Sequence, residues 1–432
     1  MRGGLCKPSR RLTTSLWQSR YSLPRALAPI SRARCRRYSS TAPNNFNGPV
    51  DFEAIKAEML SRPPQLHSDM MHPTNSYLLT RALSEFLPEA CTARQQIPPQ
   101  DVFQDASHAR SEHEHPVLSP GHHLVYFPLD RRGSELCPDG TDPYHSPRDT
   151  PFTRRMWAGG SIRGLRGMVL DDRLALCRER IVDVGVRGSA GAEKVFVEVL
   201  REYYVPGAPP RARDDPDPAD PPSSSSAGTT GRALGEHDLK GTTEHRTLVF
   251  MRTLSDQEKE MNLAQDRRIV KPPNEADYSV TLTPTPALLF HYSALTYNAH
   301  RIHLDRSYCR EVDGHPDLLV HGPLTLTLML AVLGSRLRGG ESEFVDGVDY
   351  RHLAPLYVGQ PMRVCVARQR QPRKTAAAAE RGGGKKLVGD DGDRLGVGVE
   401  RNKWDVWVEN QHGGLCVKGT AETVKRRVPD YS

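Results

Sequence analysis

Residues 320–340, VHGPLTLTLMLAVLGSRLRGG, read as a helix that opens at Gly322 and Pro323 and stops before Gly339 and Gly340. Leu324, Leu326, Leu328, Met329, Leu330, Val332 and Leu333 place apolar side chains on nearly every face. A helix without a polar face must be surrounded. Its apolar stretch is too short and too interrupted by threonine to span a bilayer, so the surroundings must be protein. Strand-like sequence follows it in FVDGVDYRHLAPLYVGQPMRVCVAR (344–368), KWDVWVEN (403–410) and LCVKGTAETV (415–424). The last two flank Gly413 and Gly414 as a hairpin would. One wrapped helix followed by antiparallel strands describes a sheet curled around a central helix, an α+β arrangement.

The first half also reads as helices followed by strands. DFEAIKAEML and TNSYLLTRALSEFLPEA carry helical spacing, and VLSPGHHLVYFPL (117–129) has the Val, Tyr and Phe density of a strand. FTRRMWAGGSIRG (152–164) and residues 165–204 read as successive antiparallel strands, with EKVFVEVLREYY alternating as a half-buried one. Trp157 and the two following glycines suggest packing at a tight backbone crossing. Residues 205–235 are Pro, Asp and Ser with little to bury and read as a disordered linker. Strand pattern resumes in TEHRTLVFMRT (243–253), and a second low-complexity stretch covers 369–397. The expected organisation is a first unit at 52–204, the linker, and a second unit at 236–428. A sheet curled around a central helix is the hotdog fold.

The first fifty of the 432 residues carry nine Arg and one Lys and no acidic residue, with no continuous apolar run. That composition fits a basic amphipathic presequence for mitochondrial import, ending near RRYSS at about residue 40, rather than a secretory signal. The chain's net charge of +7 becomes about −3 without it, which removes the electrostatic argument for nucleic-acid binding. The eight cysteines include no C-x-x-C pair, as expected of reduced thiols in the mitochondrial matrix and of a chain without a zinc framework.

Just before the central helix lies YNAHRIHLD (297–305). His300 and His303 could share a helical face, but no third metal ligand stands at a recognisable spacing, so a metal centre is not expected. Polar residues satisfying a buried turn would account for both. The sequel, VHGPL, argues for more: His321 and Gly322 open a buried helix, whose first N–H groups can receive an anionic oxygen. A histidine to move a proton, an amide side chain and a glycine-opened helix are the parts needed for proton removal next to a thioester carbonyl. In GHHLVYF the two adjacent histidines would point to opposite faces of a strand, and one of them could line a pocket.

The segment FHYSALTYNAHRIHLDRSYCREVDGHPDLLVHGPLTLTLML resembles the second half of fungal mitochondrial hydroxyacyl-thioester dehydratases of type 2 and of bacterial mesaconyl-C4-CoA hydratases, within the MaoC-like (R)-specific hydratase superfamily. PGHHLVYFPL, LCPDGTDPYHSPRDTPFTRRMWAGGSIRG, YRHLAPLYVGQPMRV and GGLCVKGTAETV are also similar to family segments. The superfamily motif runs Asp, any residue, Asn, Pro, an apolar residue, His. Aligning its His with His303 puts Asn298 at the aspartate, His300 at the asparagine and Arg301 at the proline. Asn298 cannot exchange a proton, which leaves the acid–base work to His303.

The resemblance implies His303 as catalytic base and acid, with Asn298 positioning the water or leaving hydroxyl. Gly322, with the backbone at His321, would polarise the thioester carbonyl, and His300 and Arg301 would contact substrate. It implies no metal and no organic cofactor. The expected partners are acyl carrier protein or CoA thioesters, without nucleic acid or membrane insertion. The expected reaction is reversible dehydration of (3R)-3-hydroxyacyl thioesters in mitochondrial type II fatty acid synthesis. The alternatives are hydration of a four-carbon dicarboxylate (mesaconyl-type) CoA ester, with Arg301 on the second carboxylate, and a non-catalytic acyl-thioester-binding scaffold. The resemblance also implies that the first half is a degenerate hotdog repeat pairing with the second, an α+β double hotdog with antiparallel sheets wrapped around central helices, which can act alone or as a homodimer.

Overall fold

The computed structural model describes residues 50–92, 117–165, 168–205, 241–264, 270–272, 274–337, 343–370 and 399–426. The presequence expected at 1–40 lies outside them, as do all but the first residue of the linker at 205–235 and all but the first two of the insertion at 369–397.

The helices are α1 (Phe52–Leu60), α2 (Thr74–Leu83), α3 (Asp256–Ala264), α4 (Pro286–Leu295), α5 (Arg306–Glu311) and α6 (Gly322–Gly334). The strands are β1 (Gln65–Met70), β2 (Arg154–Arg163), β3 (Leu174–Arg187), β4 (Lys194–Tyr204), β5 (Thr242–Met251), β6 (Tyr278–Leu282), β7 (Glu343–His352), β8 (Met362–Arg368), β9 (Val399–Asn410) and β10 (Leu415–Arg426). All ten form one antiparallel sheet in the order β1-β3-β4-β5-β2-β7-β10-β9-β8-β6. Read inward from each edge, the halves run β1-β3-β4-β5-β2 and β6-β8-β9-β10-β7, which is the same topology twice, joined through β2 and β7. The sheet is thus a double hotdog of the α+β class.

The junction explains the glycines after Trp157. A Cβ on Gly159 would stand 2.5 Å from the Tyr350 carbonyl oxygen, and one on Gly160 would stand 2.1 Å from that of His245. β2 therefore lies closely between β5 and β7 only because these side chains are missing.

α6 packs on β7, β8 and β9, and its seven large apolar side chains are all buried. It also serves the first half, where Thr327 Oγ1 donates to the Gly121 carbonyl at 3.4 Å. Between α2 and β2 the helical elements among the described residues are short 3-10 turns.

Two expectations are corrected. VLSPGHHLVYFPL is not a strand: Gly121 turns the chain at a φ of 88° and residues 122–125 form a 3-10 turn. Both histidines point inward there. His122 Nδ1 lies 2.7 Å from Ser76 Oγ, while His123 lies beside the fully buried Glu244. Strand β5, placed from sequence in the second unit, instead pairs with β4 and β2, so the first half of the sheet runs through Met251. The Pro- and Ser-rich stretch interrupts a strand connection instead of separating the two halves.

Candidate active site

α4 opens on Thr285, whose hydroxyl accepts the Leu288 N–H at 3.2 Å, with Pro286 in the first turn. Its other end carries a Schellman motif: Tyr297 takes a left-handed φ of 51°, the Asn298 N–H donates to the Ser293 carbonyl at 2.8 Å, and the Tyr297 N–H donates to that of Ala294 at 3.2 Å. The sharp exit swings Asn298 to the wall of the cavity. Asn298 Oδ1 accepts the His300 N–H at 3.1 Å, leaving its amide N–H₂ to donate.

His303 follows in a 3-10 turn (Arg301–His303). Its Nδ1 lies 2.8 Å from the Leu319 carbonyl, which can only accept, so Nδ1 carries the proton and Nε2 keeps a lone pair. Below it, His321 stacks face to face at 3.7 Å between ring centroids and 22° between planes. His321 is fully buried, with its Nε2 2.8 Å from Ser293 Oγ. Burial pushes the His303 imidazole down to about 4, and the Arg155 charge adds to the effect. A neutral base is therefore ready throughout the neutral range. Because a protonated His303 cannot accept the α-proton, kcat/KM should stay flat as pH falls from 7 and decline only toward a pH of about 4; a pH–rate profile checks this.

A cavity of about 990 Å³ is lined by Asn298, His300, His303, Gly322 and residues of the first half that include Gly140, Arg155 and Trp157. At its wall begins α6. The Gly322 N–H has no intrahelical acceptor, and Pro323 carries no N–H that would compete with it. A Cβ on Gly322 would stand 3.1 Å from Trp157 Cβ and 3.3 Å from the His352 ring, so glycine is what lets these groups crowd the helix start.

Of the residues singled out from sequence, Asn298, His300, His303 and Gly322 meet at this cavity. His300 is buried, 5.4 Å from His303 between ring centroids, with its Nε2 facing Asp139 at 3.6 Å. His321 supports His303 from behind and is not among the lining residues, and Arg301 is not at the site either. Arg301 is exposed, donates to Asp305 Oδ2 at 2.7 Å and lies over the Tyr308 ring. The resemblance implied contact with substrate, but residues two apart on a 3-10 turn do not share a face, and Arg301 pairs with Asp305 instead.

Among the lining groups not singled out from sequence are Arg155, Gly140 and His352. The His352 ring nitrogens lie buried close to the Gly322 backbone with no side-chain partner among the described residues, and burial pushes the group down to about 4. Nothing local marks these residues. The cavity forms only when the two halves meet.

The family described as "Hydroxyacyl-thioester dehydratase type 2" matches residues 121–207 and 229–358. The chain belongs to this family. It is similar to the mitochondrial hydroxyacyl-thioester dehydratase type 2 of Schizosaccharomyces pombe, 27% identical over 268 residues that cover 58% of this chain and 78% of that protein. It is also similar to the mesaconyl-C(4)-CoA hydratase of Chloroflexus aurantiacus, 33% identical over 136 residues that cover 32% of this chain and 45% of that protein. Among solved structures, a MaoC-like dehydratase from Phytophthora capsici superposes with a TM-score of 0.49 at 11% identity, covering 89% of this chain and all of that one. As a member of the family the chain is a hydro-lyase, a homologue of the hydroxyacyl-thioester dehydratases.

Proposed function

We propose that this chain reversibly dehydrates (3R)-3-hydroxyacyl thioesters to trans-2-enoyl thioesters, with His303 as acid and base. The supporting observation is the His303 Nε2 lone pair, fixed by the Leu319 carbonyl, in the same cavity as Gly322, whose N–H has no intrahelical acceptor. The thioester carbonyl accepts from Gly322, which stabilises the enolate as the α-proton passes to Nε2. The imidazolium then protonates the departing hydroxyl, and Asn298 orients it through its amide N–H₂. The thioester acidifies the α-proton and the elimination is redox-neutral, so the reaction asks for neither metal nor redox cofactor.

The basic N-terminal stretch and the mitochondrial relatives support action in the mitochondrial matrix, on substrates carried by acyl carrier protein in type II fatty acid synthesis, or by CoA. Hydration of a mesaconyl-type CoA ester is the second reading, favoured by the Chloroflexus relative. Ultraviolet-monitored hydration of crotonyl-CoA and of a longer trans-2-enoyl-CoA, with EDTA present, tests the first. Turnover is expected on both. Turnover confined to mesaconyl-CoA would establish the second, and none on any of them would leave a binding scaffold.

A further inference from the structure

Arg154 and Arg155 are neighbours on β2 and face opposite sides of the sheet. Arg154 is committed: its Nη2 donates to the Asp313 carbonyl at 3.0 Å and its Nε lies 3.5 Å from the Asp313 carboxylate. Arg155 faces the cavity and makes no hydrogen bond or ion pair with any described residue, and its Nη1 is buried without a partner. Leaving a guanidinium nitrogen desolvated and unpaired costs free energy, which is recovered when a ligand supplies the acceptor.

Its position indicates which acceptor. Trp157, two residues along on the same face, abuts the start of α6 where the Gly322 N–H waits for the thioester carbonyl. Two residues of strand amount to about 7 Å, so Arg155 stands about that far from the carbonyl site in the cavity that His303 also lines. There its charge reaches both His300 and His303. Asn298, on the same wall, is neutral and cannot stabilise a departing hydroxide by charge.

We infer that Arg155, from the half without the histidine motif, donates through Nη1 to the β-oxygen of the substrate as the carbon–oxygen bond breaks. The inference rests on the dehydratase reading. The α-carbon–hydrogen bond breaks and its proton goes to His303 Nε2; the electron pair forms the carbon–carbon double bond. The β-carbon–oxygen bond breaks with its pair on oxygen, which takes the proton back from His303 and leaves as water. Arg155 keeps all its protons, since a guanidinium does not deprotonate in proteins.

The test is a binding cycle that needs no turnover. In the full chain carrying His303→Ala, calorimetry compares (3R)-3-hydroxybutyryl-CoA with butyryl-CoA, which lacks the β-hydroxyl, with and without Arg155→Met. With Arg155 present the hydroxyl should tighten binding by about tenfold or more, as for a hydrogen bond to a charged group, and Arg155→Met should abolish that preference while leaving butyryl-CoA affinity within about threefold. Unchanged butyryl-CoA binding also shows that the variant is folded. No preference at the outset, or one that survives Arg155→Met, overturns the inference. So does loss of mesaconyl-CoA binding in Arg155→Met with the hydroxyl preference intact, because Arg155 would then be a receptor for an acyl carboxylate. With His303 restored, Arg155→Met should move the acid limb of the pH–rate profile upward and Arg155→Lys should hold it in place, which a purely structural role would not produce. Absence of enoyl-CoA turnover in the unaltered chain counts against the dehydratase reading and leaves the binding cycle to judge Arg155 alone.

Discussion

Replacing His303 with alanine should cut the hydration rate of trans-2-enoyl-CoA by about 10²–10⁴-fold, the range for losing a positioned general acid–base, with KM changed little. The expectation follows from how little else near the β-carbon can move a proton. Asn298 has no titratable proton, Arg155 does not deprotonate, and His300 already faces Asp139 at 3.6 Å. His321 sits behind the His303 ring, fully buried, with Nε2 occupied by Ser293. The loss should therefore fall on kcat, because the groups that hold the thioester stay in place. A His321→Ala variant makes a useful comparison. It removes the ring on which His303 stacks but not the proton-transferring atom, so its loss should be smaller. If His303→Ala retained full turnover, the base would have to be another cavity imidazole, and His352, whose ring nitrogens have no side-chain partner among the described residues, would be the next to test.

What the sequence revealed and what it hid follow from the range of the interactions. α6 was legible because its apolar residues leave no face for water, a property of thirteen consecutive residues. Its glycine start, the alternation of β4 and the β9–β10 hairpin are equally local. The placement of β5 was not local: its partners lie on the far side of the 205–235 stretch and at β2, and a composition break resembles a domain boundary whether or not strands pair across it. The GHH segment misled because its aromatic and β-branched residues favour a strand, while Gly121 and the flanking prolines dictate a turn. At the site, the residues contributed by one loop were found. Arg155 and Gly140, contributed by the opposite half, were not, since Arg155 beside Arg154 reads as one basic pair until the strand turns one to the buried Asp313 and the other into the cavity.

The contact between the halves leads to the second large effect, at Gly140. The loop carrying it is tightly wound: the Gly140 N–H donates to the Cys137 carbonyl at 2.8 Å, and Thr141 donates through N–H and hydroxyl to Asp139 Oδ1 at 3.0 and 2.7 Å. The loop lies directly against the catalytic turn, where the Arg301 N–H donates to the Asp139 carbonyl at 2.8 Å. A Cβ on Gly140 would stand 2.0 Å from the Ala299 carbonyl oxygen and 2.7 Å from its carbon, both backbone atoms with no rotamer to yield, and the φ of 85° adds strain for any L side chain. Gly140→Ala must therefore push the 298–301 backbone away, carrying Asn298 and His300 with it and tilting His303. A displacement on the order of 1 Å at reacting groups costs about 10²-fold in rate, and the left-handed backbone costs about 1–3 kcal/mol of stability besides. The expected result is a folded variant with a lowered urea midpoint and kcat reduced about a hundredfold, read against Gly133→Ala, where an added methyl meets nothing within 4 Å and stability should change by less than about 0.5 kcal/mol. A Gly140→Ala variant as active as the unaltered chain would mean that the catalytic turn does not depend on the first half for its position. The two repeats would then be coupled only through the sheet, and the cavity between them would matter for binding the acyl chain more than for proton transfer.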